Sequence, residues 1–363
     1  FPGFSIGATG FDKRQFEGEA YLRFEDLGFI ERGVLGVVHN TEDEEGFNNG
    51  SFQFGLDGKI QNTGIYGEIE ISADALVDDL VLIAGGRLEI DNRERATTSF
   101  GLPASDASFD ETVFLPKAGV RYDFDDTTTV GYTYARGFRN GGLDVDFLTP
   151  GIPTSRVEPE YIDQHEIFAR TSLMDDRLDL SATAFYYNWD DAQVPGIVNP
   201  GALFGNVPEA VGFGGEFAVS FQPIPELRIN GALGLLETEI TDAGAATQFA
   251  GEELPRAPNV TASAGVTVTP FDGFEATATV SYVDSTKSAL GEATLEAYTV
   301  VDLSASYTFE AGPSNLTLEG FISNLFDERY VTFDEALPPG FGATSLRAVG
   351  RPRTFGVAAT VDF

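Results

Sequence analysis

Apolar and polar residues alternate with period two along most of the chain. Between Arg177 and Asp190, Leu178, Leu180, Ala182, Ala184 and Tyr186 fall on one face, and Arg177, Asp179, Ser181, Thr183, Phe185 and Tyr187 on the other. Val260 to Thr269 repeats the scheme, with Val260, Ala262, Ala264, Val266 and Val268 against Thr261, Ser263, Gly265, Thr267 and Thr269. Phe274, Ala276, Ala278, Val280 and Tyr282 form a third such row. This period, with small polar residues on the second face, predicts strands with one apolar and one wet side.

The punctuation between strands has two sizes. Short turns rich in Asp, Gly and Pro are predicted at Asp26–Gly28, Asp74–Asp79, Asp125–Asp126, Met174–Asp176, Pro223–Glu226, Pro270–Gly273 and Glu310–Ser314. Long polar stretches at 41–59, 92–111, 138–158, 191–205, 241–254, 284–293 and 332–351 are read as loops. Short and long connections take turns, as they do in bacterial outer-membrane barrels with short periplasmic turns and long extracellular loops. The seven short turns join fourteen strands, and the segment from Arg353 to Phe363 adds one, for a total of about fifteen. Bacterial barrels have an even strand number. The expectation is therefore an incomplete barrel, with the Gly-rich residues 1–14 as the end of an extracellular loop. Tyr132, Tyr134, Phe138, Tyr186, Tyr187, Trp189, Tyr282, Tyr298, Tyr307 and Phe309 lie near strand ends, where aromatic girdles form.

Composition narrows the class. The 363 residues carry 22 Lys and Arg against 57 Asp and Glu, a formal charge of −35. That charge excludes a grip on nucleic-acid phosphate, which needs clustered cations. With no cysteine there is no disulfide framework, thiolate nucleophile or Cys-ligated metal. The longest strongly apolar run, Leu80 to Gly86, is far short of the roughly 20 residues of a membrane-spanning helix. A spanning β-barrel needs only alternating segments of about 9–11 residues and stays open. The chain ends on the row Phe355, Val357, Ala359, Val361 and Phe363, an amphipathic strand with a terminal aromatic.

Longer motifs now bear on the family. NLFDERYV (Asn324 to Val331), a loop, and then GRPRTFGVAATVDF resemble the last two strands of TonB-dependent outer-membrane receptors. YARGFRNGGLDVDF (Tyr134 to Phe147) followed by VEPEYIDQHEIFAR is similar to that family's Gly-Phe-(Arg/Lys)-x-Gly-Gly segment and the strand after it. Gly64 to Arg93 and the segment LPRAPNVTASAGVTV resemble two further hairpins of the family. The resemblance implies an all-β, antiparallel transmembrane barrel, with about 15 of an expected 22 strands in this chain. Residues 1–363 would then be the C-terminal portion of such a barrel. The family's plug and TonB box are not in this sequence.

What the resemblance implies for function is uptake of a scarce solute by TonB-dependent active transport, with a ferric siderophore first. Vitamin B12, haem and oligosaccharides are the further cargoes it allows. The implied partners are outer-membrane lipid and lipopolysaccharide of a Gram-negative bacterium, TonB through an N-terminal region, and the small-molecule ligand, with the receptor as a monomer. No cofactor or catalytic residue is expected. Two other readings are weighed: a passive porin-like channel of about 16 strands, and a secreted acidic β-rich adhesin with polar residues on both strand faces.

Candidate ligand residues follow from guanidinium chemistry. Arg136, Arg139, Arg156 and Arg347, with Arg351 and Arg353, flank the predicted loops, and guanidinium suits the carboxylate or catecholate oxygens of an anionic iron chelate. Pairing with the surplus carboxylates is the competing role for each. The acidic run Glu42 to Glu45 fits no EF-hand spacing and reads as a solvated, self-repelling loop. His165 and Glu166 face opposite sides of a strand, a poor metal pair, and His165 reads as a lumen-facing structural residue. Tyr187 and Trp189 read as girdle anchors before ligand contacts.

Overall fold

The computed structural model describes residues 9–49, 54–99, 105–144, 155–195, 204–336 and 345–362. The first strands are β1 (Thr9–Leu27), β2 (Ile30–Asn48), β3 (Phe54–Ser72), β4 (Leu80–Ser99), β5 (Ser105–Asp123) and β6 (Thr128–Arg139). A short hairpin of β7 (Gly142–Asp144) and β8 (Ser155–Val157) follows. Then come β9 (Glu160–Leu173), β10 (Leu178–Pro195), β11 (Phe204–Ile224), β12 (Leu227–Asp242), β13 (Val260–Val268) and β14 (Phe274–Val283). The pair β15 (Thr286–Lys287) and β16 (Thr294–Leu295) precedes β17 (Tyr298–Ala311) and β18 (Ser314–Ser323). The hairpin β19 (Val331–Ala336) and β20 (Ser345–Val349) precedes β21 (Thr354–Asp362).

Fifteen of these strands form one antiparallel sheet in the order β1-β2-β3-β4-β5-β6-β9-β10-β11-β12-β13-β14-β17-β18-β21, and the other six form three small hairpins. Every neighbour in the large sheet is the next main strand in sequence, so the topology is a pure meander. Among the described residues, β1 and β21 at its two ends are not paired with each other. The predicted strand count stands, and all seven short turns join the pairs expected.

The register turns the alternation into two faces. Leu22 lies opposite Leu35, Val37 opposite Ile65, Leu88 opposite Phe114, and Ile167 opposite Tyr132. Phe217 opposite Leu233, Val266 opposite Ile229, and Leu318 opposite Ala359 continue the same face. Leu22, Leu35, Phe114, Ile167 and Val357 are among its most exposed members. We call this the outward face. The other, inward face is polar or charged through β1–β5 and rich in Ser and Thr through β13–β18.

Three expectations change. The stretches 41–59 and 92–111 are mostly strand, because β2 and β3 run on past the apolar zone, as do β4 and β5. Hydrophobic alternation records contact with an apolar medium, whereas the hydrogen-bonded ladder continues wherever the backbones still pair. The Glu42–Glu45 run therefore lies in β2, where Lys13 pairs with Glu42 at 2.7 Å and Arg95 with Glu44 at 2.6 Å. Segment 1–14 is strand from Thr9 onward, and the rest of it lies outside the described residues, as does the terminal aromatic Phe363.

Candidate functional site

The inward face of β1–β5 is a ladder of mutually satisfied charges. Glu70 takes hydrogen bonds from Arg32 at 2.5 Å and from Arg121 at 2.6 Å. Lys117 pairs with Glu68 at 2.7 Å. Higher up, Asn62 bridges Glu89 and Asp91, which pair in turn with Arg87 and Arg93. Asp91 is nearly inaccessible, so its charge needs these partners. Among the described residues, no ion pair lies on β11–β14, β17, β18 or β21. There the polar contacts between strands include hydroxyl pairs, such as Thr267 with Thr277 at 2.9 Å and Thr308 with Thr317 at 2.8 Å.

At the end of the sheet with the long connections, strand ends and loops together form a core of their own. Ala192, Val194, Val207, Ala210, Ile240, Ala243, Ala246, Phe249 and Leu290 are buried together, and Trp189 and Leu254 pack against them. Backbone bonds join one loop to the next: Leu290 N–H donates to Pro195 O at 3.0 Å, and Arg256 N–H to Lys287 O at 2.9 Å. The buried Ser288 is a junction. Its carbonyl accepts from Arg256 Nε at 2.9 Å, and its Oγ accepts from the Asp334 N–H at 3.0 Å. Arg256 also lies over the Phe333 ring, 5.1 Å from its centroid, with a positive φ of 59°. Proline on one side, and another one residue further on the other, hold that strained backbone in place. Three connections are thereby tied into one rim around the interior.

The four candidate arginines are not brought together. Arg136 lies opposite Asp163 on the outward face, in line with Tyr132 and Tyr134. It sits between Asp163 at 4.0 Å and Asp190 at 3.5 Å and over the Tyr161 ring. Arg139 is exposed at the last position of β6. Arg156 pairs with Glu158 at 3.0 Å and covers Phe109, 4.3 Å from the ring centroid. Arg347 pairs with Asp334 at 2.8 Å while its own side chain stays largely open. Hydrogen bonds from Arg347 and Ser345 hold the Asp334 carboxyl below its ordinary range.

Two expectations about faces are corrected. His165 lies opposite Tyr134 and Tyr186 on the outward face, with its Nδ1 2.8 Å from the Tyr132 hydroxyl. Tyr187 and Trp189 lie on the inward face of β10, not in an outer girdle, and Tyr298 is inward as well, stacked on Tyr330 at 4.0 Å. The signal for the first pair was in the alternation itself, since Tyr187 and Trp189 have opposite parity to Leu178 and Tyr186. Arg256 between its prolines had a local signature that charge counting passed over. Ser288 and Phe333 had none.

A family model described as TonB dependent receptor-like, beta-barrel matches residues 6–325. The chain is similar in fold to the ferric yersiniabactin uptake receptor FyuA from Yersinia pestis, with a TM-score of 0.78 at 18% identity, covering 98% of this chain and 55% of that one. It is similar to the siderophore receptor PiuA from Acinetobacter baumannii, with a TM-score of 0.77 at 16% identity, covering 98% and 56%. The copper transporter OprC matches with a TM-score of 0.73 at 18% identity, covering 98% and 57%. The chain thus spans about half the length of the solved relatives it matches.

Proposed function

The chain belongs to the TonB-dependent receptor β-barrel family, and on that premise we propose that it forms wall and rim of an outer-membrane uptake receptor in a Gram-negative bacterium. One observation carries the reading: a fifteen-stranded meander with its large apolar side chains exposed outward, the charges of β1–β5 paired inward, and several of its long connections tied together at one end. The outward face suits acyl chains, and the ladder satisfies backbone groups that lipid could not. The rim is the entrance. In this reading residues 1–363 are the C-terminal portion of the barrel, and the gene-encoded protein supplies the plug and the contact with TonB.

The cargo proposed first is a ferric siderophore. Arg156, Arg347 and Arg139 stand at the loop end and are the proposed first contacts for an anionic chelate, because guanidinium matches carboxylate and catecholate oxygens. Arg136 leaves that set, since it faces outward between two carboxylates. Lipid and lipopolysaccharide would surround the outward face of a monomer.

The test is uptake of radioactive iron chelates and of copper by cells whose own receptors are deleted and which express the gene-encoded protein. Active transport predicts iron accumulation that stops when TonB is deleted or the proton gradient is collapsed. Uptake that persists without TonB would leave a passive channel. Accumulation of copper alone would keep the transport and change the cargo.

A further inference from the structure

On the outward face of β13 to β21 the register sets small side chains side by side. Ala276 lies opposite Ala305, and Ala305 opposite Gly320, with Val268 and Val357 closing the row at its two ends. The row above holds Leu303, Ile322 and Phe355, and the row below Phe274, Tyr307 and Leu318. The small row is the floor of an apolar trench of about 690 Å³. Small-molecule sites occupy roughly 300–1,000 Å³. Two other outward glycines, Gly33 on β2 and Gly86 on β4, lie under the rings of Phe24 and Phe114. Over Gly320 a Cβ would meet only a backbone oxygen, at 4.0 Å. Among the described residues, no side chain roofs that part of the floor.

The trench sits low on the wall. Val268 ends β13 and Phe274 begins β14, so it occupies the half of the apolar band next to the short turns. Beside it the Phe271 ring lies 5.0 Å from Phe274 and 6.1 Å from Tyr307, centroid to centroid. Exposed rings at the edge of an apolar band mark the headgroup depth. Past them lies a second cavity, of about 630 Å³, lined by Glu226, Asp272 and Glu275 together with Phe271 and Phe274. Glu275 belongs to the inward face, whereas Glu226 and Asp272 stand exposed at the tips of two turns. The Thr269 N–H donates to Glu226 O at 2.9 Å and holds those turns together. No cation lines the cavity, and among the described residues none of its three carboxylates is ion-paired.

We propose that the trench and the two turns seat one diacyl phospholipid of the periplasmic leaflet, with a primary-amine head. The proposal rests on the barrel reading of the outward face and adds a lipid which that face selects. An acyl chain fills the trench, because the trench is continuous with the lipid-facing surface and its floor is methyl and backbone. The Tyr307 hydroxyl has no hydrogen bond among the described residues and is left to donate to an ester carbonyl. The ammonium meets Glu226 and Asp272 beside the ring of Phe271, since carboxylates and ring faces both attract a cation. The same carboxylates repel an anionic head.

The experiment uses the gene-encoded protein in maltoside micelles. The probes are phosphatidylethanolamine and phosphatidylglycerol carrying the same photoreactive diazirine in one acyl chain. Mass spectrometry maps the labelled peptides after illumination. The seat predicts labelling of the Ala276–Ala278 and Leu303–Ala305 peptides several-fold above that around Ile69 and Leu82, outward positions equally near the short turns. The ethanolamine probe should label the trench about two- to fivefold more than the glycerol probe, the ratio that exposed ion pairs give. Ala305→Phe should remove the trench labelling and spare that on β3 and β4. Glu226→Gln with Asp272→Asn should abolish the head preference and keep the chain in place. Heat-modifiable gel mobility checks that each variant assembles. Should Ala305→Phe fail to assemble, the unmodified protein still decides through the two probes. Uniform labelling of the outward face, or equal trench labelling by both probes, would overturn the seat and leave the barrel standing. A dimer that Ala305→Phe dissociates would give the trench to a second copy and overturn the lipid. No labelling of outward strands at all would sink the barrel reading and the seat with it.

Discussion

The backbone N–H of Asn324 donates to Oδ1 of Asp302 at 2.8 Å, tying the end of β18 to β17. Asn324 lies at φ 53°, in the left-handed region that Asn tolerates better than most residues. Its Nδ2 donates to Glu328 O at 2.9 Å and Arg351 O at 3.0 Å, and its Oδ1 accepts from Glu328 N–H at 2.8 Å. Asp327 Oδ1 accepts from Arg353 N–H at 2.9 Å. The NLFDERYV and GRPR segments, far apart in sequence, are thus two halves of one knot at the start of the final strand.

The knot predicts a graded response at Asn324. Asn324→Ala removes the side-chain hydrogen bonds to three backbone groups and places a Cβ residue without compensating bonds in a strained conformation, a cost of about 3 kcal/mol. Asn324→Gly loses the same bonds but not the backbone tolerance, and should fall between the two. Urea unfolding followed by heat-modifiable mobility reads both; equal stability for all three proteins would remove the knot's role.

Val266 lies on the outward face, opposite Ile229, and Ser263 points inward. Val266→Arg, or Ala264→Arg, puts a guanidinium on the lipid side and should cost about 2–4 kcal/mol in membrane assembly. Ser263→Arg should assemble normally. Folding yields into lipid vesicles compare the three, and indifference at 264 and 266 would reverse the face assignment.

Arg121 reaches Glu70 at 2.6 Å and Asp123 at 2.9 Å from a mostly covered position. Arg121→Ala leaves Glu70 with Arg32 alone, and the loss should be about 2 kcal/mol, since a covered carboxylate keeps its desolvation cost. Adding Glu70→Gln should recover part of it. A double-mutant cycle in urea measures the coupling.

The Asp334 carboxyl is held below its ordinary value of 3.8 by hydrogen bonds from Arg347 and Ser345. A lowered carboxyl stabilises its contact above that ordinary value and releases it as pH falls through the lowered one. Protection of the β19 amides should therefore be constant from pH 7 to about pH 4 and drop only below. Arg347→Ala should show reduced protection across the whole range. Hydrogen exchange with intrinsic rates divided out makes the comparison.

Much of the fold was legible before any coordinates. The rows Leu178–Tyr186 and Val260–Val268 name the outward face, and the Asp, Gly and Pro clusters name the short turns, because both depend on residues near in sequence. The polar ends of β2 to β5 were not legible as strands. Their alternation carries charge on both sides, and only pairing across strands shows that Glu44 meets Arg95 and that Asn62 bridges Glu89 and Asp91.

The alternation by itself determined an antiparallel wall with one apolar and one polar face, since contact with an apolar medium writes a period of two into the chain. Only the tertiary structure decided that Arg136 and His165 face outward, that Trp189 lies over Gly212 of the next strand, and that Ser288 joins Arg256 to Asp334. Those relationships depend on register between strands and on loops meeting across the rim. No local periodicity records which distant residue a side chain will meet.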